Sequence, residues 1–435
     1  MSPPRRSTRP PPPRSAACTP TSLARAPRRW APPVGRHQLW GEVVCLDPLA
    51  WLRAGLITNP GEFVLGQPGV GKSTLVKRQI TGAVAAGAKA VILGDTKPDY
   101  TMLTEHLGGQ VIRIGRGLDR INPLDTGPLG AALARMSGPD AQALRWEVRS
   151  RRLSLLMALC TLVRESRITN AEEVILGRAI DLLDERNPSL QPTVTDVLGV
   201  IEDGPDTLRA AARADTPAAF RDRAGDFVFT LDLLTTGSLA GVFDQPTSRP
   251  IDLDAPAVSV DISRVGAAGD KLLTAAMLCV WSYGFAMVDA AAALADQQIA
   301  PRRSYLAVMD ELWRALRGAP GLVEYADSLT RLNRAKDSIM ITHSLADLDA
   351  LATEEDRAKA RGFIERSAIT VMGGLPPREP HPRDHPAHRA RAGAGHLLVR
   401  PGLLAARRPP PWQGQVPDQD RRETGYPGRT QPRRR

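Results

Sequence analysis

Gly66-Gln67-Pro68-Gly69-Val70-Gly71-Lys72-Ser73 is a complete G-x-x-x-x-G-K-[ST] phosphate-binding loop, and Thr74 follows it directly. Before it, Phe63-Val64-Leu65 is a short apolar run of the kind that forms a buried strand. After it, Thr74 to Ala85 lacks proline and carries apolar residues at helical spacing. The motif needs this strand–loop–helix setting. Its glycines let backbone N–H groups turn inward around phosphate oxygens, and the helix N-terminus adds unpaired donors and the positive end of its dipole. Lys72 would reach the β- and γ-phosphates, and the Ser73 hydroxyl would ligate Mg²⁺. A chain of this composition would match the pattern by chance roughly 0.5% of the time, so coincidence is set aside. Residues 66–74 predict a nucleoside triphosphate site.

A site that hydrolyses ATP needs carboxylates facing that loop. Leu306-Ala307-Val308-Met309-Asp310-Glu311 has the form of a Walker B segment, an apolar strand ending in two acids. Asp310 would hold Mg²⁺ through water, and Glu311 would polarise the attacking water. Ligands of open α/β sheets sit beyond the carboxyl ends of the strands, where this pair falls. Ile339-Met340-Ile341-Thr342-His343 repeats the design, so Thr342 or His343 would sense the γ-phosphate. Arg331, Arg334 and Lys336 form a basic cluster just before it. From there Arg334 would serve a neighbouring subunit as an arginine finger; a solvated helix face accounts for the cluster equally well. Asp95 and Lys97, after another apolar strand, are candidates for ordering the site.

The alternation of elements sets the fold class. Strand-like runs recur at Val43–Leu46, Phe63–Gly66, Ala90–Asp95, Gln110–Ile114, Ala257–Ile262, Tyr305–Met309, Ile339–Thr342 and Ala368–Met372, with helical segments between them. Continuous Val/Ile/Leu runs alternating with helices indicate an α/β fold with a mostly parallel sheet covered on both faces. From about Gly130 to Leu234 the pattern is helical throughout, near 139–164, 171–186, 193–202 and 217–234, with Asp140, Thr169 and Thr193 as expected caps. We read about 130–235 as an all-helical insertion. Leu272 to Val288 is uncharged and at the lower edge of membrane-span length; its Ser282, Tyr283 and Gly284 favour a buried helix on the sheet.

Charge and composition divide the 435 residues into a body and two tails. The net charge is +10, yet residues 1–40 and 378–435 each carry +8, which leaves −6 on the middle. The basic balance therefore belongs to the ends, which weakens a nucleic-acid reading of the body without excluding DNA, since a ring motor can hide a basic pore lining. Residues 1–39 are Pro/Arg-rich and are expected to be disordered, as are residues 378–435, which leaves 40–377 as the folded unit. His381, His385 and His388 lie among Pro and Arg without framing elements, and so do not read as a metal site. Cys18, Cys45, Cys160 and Cys279 form no C-x-x-C pair, which excludes a zinc ribbon or disulfide scaffold and fits a reducing cytoplasm. The N-terminus has no apolar core of a secretory signal. With plausible codons shifted one base, Gln415 to Pro427 spells a sensible strand and turn. We therefore read the tail as translated out of frame somewhere after Glu379; resequencing that finds no such shift would overturn this.

Six segments occur in a telling order: Gly66–Ser73, Asp95-Thr96-Lys97, Ile121-Asn122-Pro123-Leu124-Asp125, Gly241-Val242-Phe243-Asp244, Asp310-Glu311 and the stretch from Arg334 to Thr342. Together they resemble the motor domain of the FtsK–HerA superfamily, most of all its conjugation and type IV secretion ATPases (VirB/TraC type). The likeness covers about residues 40–377. It implies a RecA-like P-loop NTPase core, ATP and Mg²⁺ as cofactors, and a homo-hexameric ring. It also implies DNA or secreted protein as cargo and membrane secretion-channel proteins as partners. The location implied is cytoplasmic, peripheral at the inner face of a bacterial plasma membrane, without an integral membrane segment. Three features depart from the family: His343 stands where Gln is common, the large N-terminal docking domain has no counterpart, and the C-terminal end lacks the family pattern.

Other readings of the same residues stay open. Thr342-His343 also resembles the switch histidine of ABC-type ATPases, although no Leu-Ser-Gly-Gly-Gln signature accompanies it. A truncated relic that binds nucleotide but is catalytically impaired would share the loop and the unusual tail.

Overall fold

The computed structural model describes residues 32–36, 41–59, 61–66, 69–187, 191–237, 239–266, 269–317, 322, 325, 326, 338–344, 354–373 and 398–401. Its strands are β1 (Pro33–Arg36), β2 (Val43–Cys45), β3 (Gly61–Gly66), β4 (Lys89–Asp95), β5 (Gln110–Arg113), β6 (Ala257–Asp261), β7 (Tyr305–Met309), β8 (Ser338–Ser344), β9 (Ile369–Gly373) and β10 (Leu398–Pro401). β1 and β2 form a small antiparallel ribbon. The other eight form one sheet in the order β10-β9-β3-β8-β7-β4-β6-β5, parallel throughout except where β10 pairs antiparallel with β9.

The expected two-sided burial is present. β6, β7 and β9 are buried at every residue, and alternate residues along the strands feed two different cores. Val64, Ile92, Val308 and Val371 face the helix that follows the phosphate loop, Lys72–Ala85, through its Leu75, Val76 and Ile80. The short helix Pro48–Arg53 adds Leu49 and Trp51 to that layer. Phe63, Leu65, Val91, Leu93 and Met309 face the opposite way, into the larger core. A period of two with both phases apolar is what a covered parallel sheet requires.

The larger core is organised by one helix, Asp270–Asp296. It is long and apolar enough to cross a membrane, but 89% of its apolar window is buried inside the protein. Its Trp281 indole N–H donates to the Leu93 carbonyl of β4 at 3.1 Å. Gly284 permits this approach, because a Cβ there would stand 2.0 Å from Leu93 Cδ2. Beyond this helix lie Pro128–Leu133, Gly138–Arg164, Asn170–Arg186, Val194–Asp203, Asp206–Ala211 and Pro217–Thr235. Thr169 and Thr193 close capping boxes with Glu172 and Asp196, each satisfying two otherwise unpaired N–H groups. Asp140 is not a cap: Ser137 holds the N-cap position, and Asp140 instead accepts a hydrogen bond from Gln297 at the end of the long helix.

Two expectations about the tails are corrected. Pro33–Arg36, placed by sequence in a disordered segment, pairs with Val43–Cys45, and the Pro33 carbonyl accepts Arg78 Nε at 2.7 Å. Leu398–Pro401, likewise expected to be patternless, extends the sheet beyond residue 377 against Ile369–Met372. Proline is tolerated in both because each strand is at an edge, where a missing N–H leaves no buried partner unpaired. Four-residue strands with one paired side are too short to show as a run of alternating residues.

β3 also carries a buried acid. Glu62 is fully buried, with both carboxyl oxygens facing Gln79 Nε2 at 3.1 and 2.9 Å. Burial pushes its pKa from the usual 4.5 to about 8; the Gln79 bond opposes this and nearby Asp47 adds to it. The folded state thus holds this proton more tightly than the unfolded chain. Its stabilising effect is complete below pH 4.5 and is lost as pH rises through about 8. Urea unfolding at a series of pH values should show stability falling across that window, with Glu62 contributing up to about 1.4 kcal/mol per pH unit. Glu62→Gln should flatten the dependence.

Candidate nucleotide-binding site

Parallel pairing brings the carboxyl ends of three strands level. Phe63 of β3 and Met309 of β7 are both in register with Thr342 of β8, and Leu65 is in register with Ser344. The phosphate loop leaving β3 and the acids leaving β7 therefore flank the end of β8 at the same height. Gly66 ends β3 against β9, where a Cβ would lie 2.3 Å from the Gly373 carbonyl oxygen and 2.9 Å from Val70 Cγ2. Gly69 and Gly71 adopt φ of 83° and 90°, and Gly71 is the N-cap of the helix that begins at Lys72. That backbone turns the first N–H groups of the helix toward the loop, a cradle for phosphate oxygens.

Lys72 Nζ donates to the Gly66 carbonyl at 2.7 Å, so its ammonium lies back across the loop. Partial burial lowers its pKa; the charges of Glu311 and Asp310 counter this, and Lys97 adds to the lowering. Ser73 is half-buried and Thr74 exposed on the first turn. Asp310 and Glu311 are both buried, at 5% and 9% exposure, and Asp310 Oδ1 accepts the Glu311 N–H at 2.8 Å. Thus Lys72, Ser73, Asp310 and Glu311 come together at this end of the sheet. Thr342 and His343 are placed between them by backbone register. Gln67, Pro68 and Arg334 lie outside the described residues.

The turn after β4 completes one wall. Asp95, fully buried, accepts the backbone N–H groups of Lys97, Asp99 and Tyr100 at 3.3, 3.0 and 2.7 Å. Burial raises its pKa, and those three donors pull it back. The turn so fixed carries Lys97 to Glu311, Nζ to Oε1 3.3 Å. Asn122-Pro123-Leu124-Asp125 and Gly241-Val242-Phe243-Asp244 have a different role: they clasp the sheet to the helical layer. Ile121 N donates to Val242 O at 3.2 Å, Asn122 Nδ2 to Pro192 O at 2.9 Å, and buried Arg152 Nε to Leu124 O at 2.7 Å.

Two residues near the site escaped the sequence reading. Tyr100 is fully buried, with its hydroxyl beside Ser73 and under the influence of Asp310 and Asp95. Trp313, two residues past Glu311, donates its indole N–H to Glu311 Oε2. Their signals were present, an aromatic at each motif's edge, but period-based reading assigns such residues to packing.

The donor set fits Mg²⁺. Among the described residues no three His, Cys, Asp or Glu side chains converge on one point. One hydroxyl, at Ser73, and one buried carboxylate, at Asp310, match a cation that takes few protein ligands and keeps water and phosphate oxygens in its shell.

No protein-family model and no curated protein matches the sequence. The fold, however, is that of a P-loop NTPase. It is similar to VirB4 of Thermoanaerobacter pseudethanolicus, with a TM-score of 0.58 over 80% of this chain and 85% of that one at 18% identity. A looser likeness joins it to the bacterial conjugative coupling protein TrwBΔN70, unbound, at a TM-score of 0.46, 13% identity and 81% and 74% coverage. The plasmid coupling protein TrwB in complex with ADP and Mg²⁺ gives 0.45, 13% identity and 81% and 76% coverage. At these identities the likeness defines architecture and leaves activity to be argued from the site.

Gly66→Ala should damage the site without touching its charged groups. The added methyl meets a carbonyl of β9, so thermal melting should show a loss of about 1–3 kcal/mol. Nucleotide affinity, read by fluorescence of a labelled ATP analogue, should fall with it.

Proposed function

We propose that the protein is an ATP-hydrolysing motor of the conjugative or type IV secretion type, coupling turnover to transfer of a macromolecule. The observation that carries the reading is the meeting of Lys72 and Ser73 with Asp310 and Glu311 beyond the ends of β3 and β7. In this reading the loop N–H groups and Lys72 hold the β- and γ-phosphates. Ser73 and Asp310 would hold Mg²⁺, which would supply positive charge against the negative charge that develops on the transferred phosphoryl group. Glu311 takes a proton from the attacking water as its oxygen closes on the γ-phosphorus, and the bond from that phosphorus to the bridging oxygen breaks, leaving ADP and inorganic phosphate. Thr342 and His343 sense the γ-phosphate from β8, and Arg334 reaches the site of a neighbouring subunit in a homo-hexamer. The acidic pair separates an ATPase from a protein that only binds nucleotide, which disfavours the impaired relic. Transfer of DNA or protein rests on the architecture shared with VirB4 and on the motif order, as does a location at the inner face of the plasma membrane beside channel proteins.

Steady-state ATP hydrolysis by the full chain, with and without single- and double-stranded DNA, tests the proposal. Lys72→Ala should weaken ATP binding by about 2–3 kcal/mol, because it removes a charged phosphate donor. Glu311→Gln should keep ATP bound and reduce kcat at least about 100-fold. Turnover retained by Glu311→Gln would remove Glu311 from the chemistry. Stimulation by DNA that Glu311→Gln abolishes would support nucleic acid as cargo, and turnover indifferent to DNA would favour protein.

A further inference from the structure

The carboxylate assigned to activate water is already engaged. Glu311 Oε1 faces Lys97 Nζ at 3.3 Å, and Oε2 accepts the Trp313 indole N–H. The backbone of Glu311 is left-handed, φ 51° and ψ 38°, one of four described non-glycine residues with positive φ. For an L-residue that conformation is strained and persists only where surrounding contacts hold it. Here the Asp310 carboxylate holds the Glu311 N–H at 2.8 Å, and the two side-chain donors hold the carboxylate itself.

Trp313 is fixed in turn. The guanidinium carbons of Arg314 and Arg317 lie 5.2 and 5.5 Å from its ring centroid, so the indole is braced by two cations. Lys97 is fixed by its turn, through the three N–H groups that Asp95 accepts. Both donors that grip Glu311 therefore have support of their own.

We propose that Lys97 and Trp313 are positioning residues that latch Glu311 away from the water it activates, so that hydrolysis requires the latch to open. This rests on the reading of Glu311 as general base. With a cation on one oxygen and an indole N–H on the other, the carboxylate is held at both oxygens and is not free to turn toward a water at the γ-phosphate. Opening also needs a trigger, and Lys97 provides one. Its charge already acts on Lys72, so it lies within electrostatic reach of the phosphate loop. A triphosphate on that loop competes with Glu311 for the Lys97 ammonium. Once Lys97 turns to the γ-phosphate, only the indole contact remains. The base is thus released by the substrate it acts on, and a diphosphate, lacking the γ-phosphate charge, leaves it held.

Trp313→Phe tests the proposal by sign. Phenylalanine keeps the half-buried ring and its cations but removes the indole donor. In the full chain, kcat should rise about 3-fold or more with KM no higher, since ATP no longer works against the indole contact. An unchanged or lower kcat overturns the latch, because a contact that aims Glu311 productively would slow the enzyme when cut. If Trp313→Phe does not fold, Trp313→Tyr replaces it under the same criterion. A second readout is independent of turnover. In protein labelled with 5-fluorotryptophan, the Trp313 ¹⁹F resonance, identified by its absence from the Trp313 variant, should move in nucleotide-free Glu311→Ala. It should also move when a non-hydrolysable ATP analogue and Mg²⁺ are added to the wild type, and stay in place with ADP and Mg²⁺. A resonance indifferent to Glu311→Ala, or equally shifted by both nucleotides, overturns the proposal. Failure of the underlying reading looks different: Glu311→Gln would then retain turnover whatever Trp313 does.

Discussion

The arrangement of the site depends on the pairing of β8 between β3 and β7. Backbone hydrogen bonds on both sides of one central strand lock two chain segments, about 240 residues apart in sequence, into a shared register. A one-residue slip of β3 or β7 against β8 would turn the side chains of the slipped strand to the opposite core and displace the acids from the loop. Because both cores are filled, with Phe63, Leu65 and Met309 on one side and Val64 and Val308 on the other, such a slip would expose apolar area at once. Packing therefore protects the geometry of the site.

The same logic explains the thickness of the layer on the larger core. The helix Asp270–Asp296 is apolar around most of its circumference and cannot face water on any side. The sheet covers one side, and the helices between Pro128 and Thr235 cover much of the rest. Two ion pairs tie charged groups into this layer: Arg164 with buried Glu172 at 2.7 Å, and buried Arg152 with Asp184 at 2.8 Å. The Asn122–Asp125 and Gly241–Asp244 segments then stitch the layer to the edge of the sheet. Their contribution is architectural, although they were among the residues that best marked the family likeness.

Much of this was legible in the sequence where the signal is local. The phosphate loop is one, since eight consecutive residues contain the whole geometry. The Thr169 and Thr193 caps are another, since each box closes within four residues. Asp140 misled because an acid near a helix start is equally at home inside the first turn, where it also meets the dipole. The Lys97–Glu311 contact was out of reach, as 214 residues separate its partners and neither motif names the other. Trp313 was out of reach for another reason: its role depends on which way an indole nitrogen points. The edge strands β1 and β10 were lost because proline and arginine, the marks of an unstructured tail, are also what exposed edges tolerate.

The ribbon at the N-terminal side has a mechanical corollary. Pro33 accepts a hydrogen bond from Arg78, and the Pro32 ring covers Gly82, so this short arm rests on the helix that begins at Lys72. A pull applied upstream of Pro32 would therefore be borne first by that helix, and through it by the turn around the phosphates, before any load reached the sheet. An attachment on that side of the molecule would be wired to the nucleotide, whereas one beyond Pro401 would tug on an antiparallel margin two strands from β8.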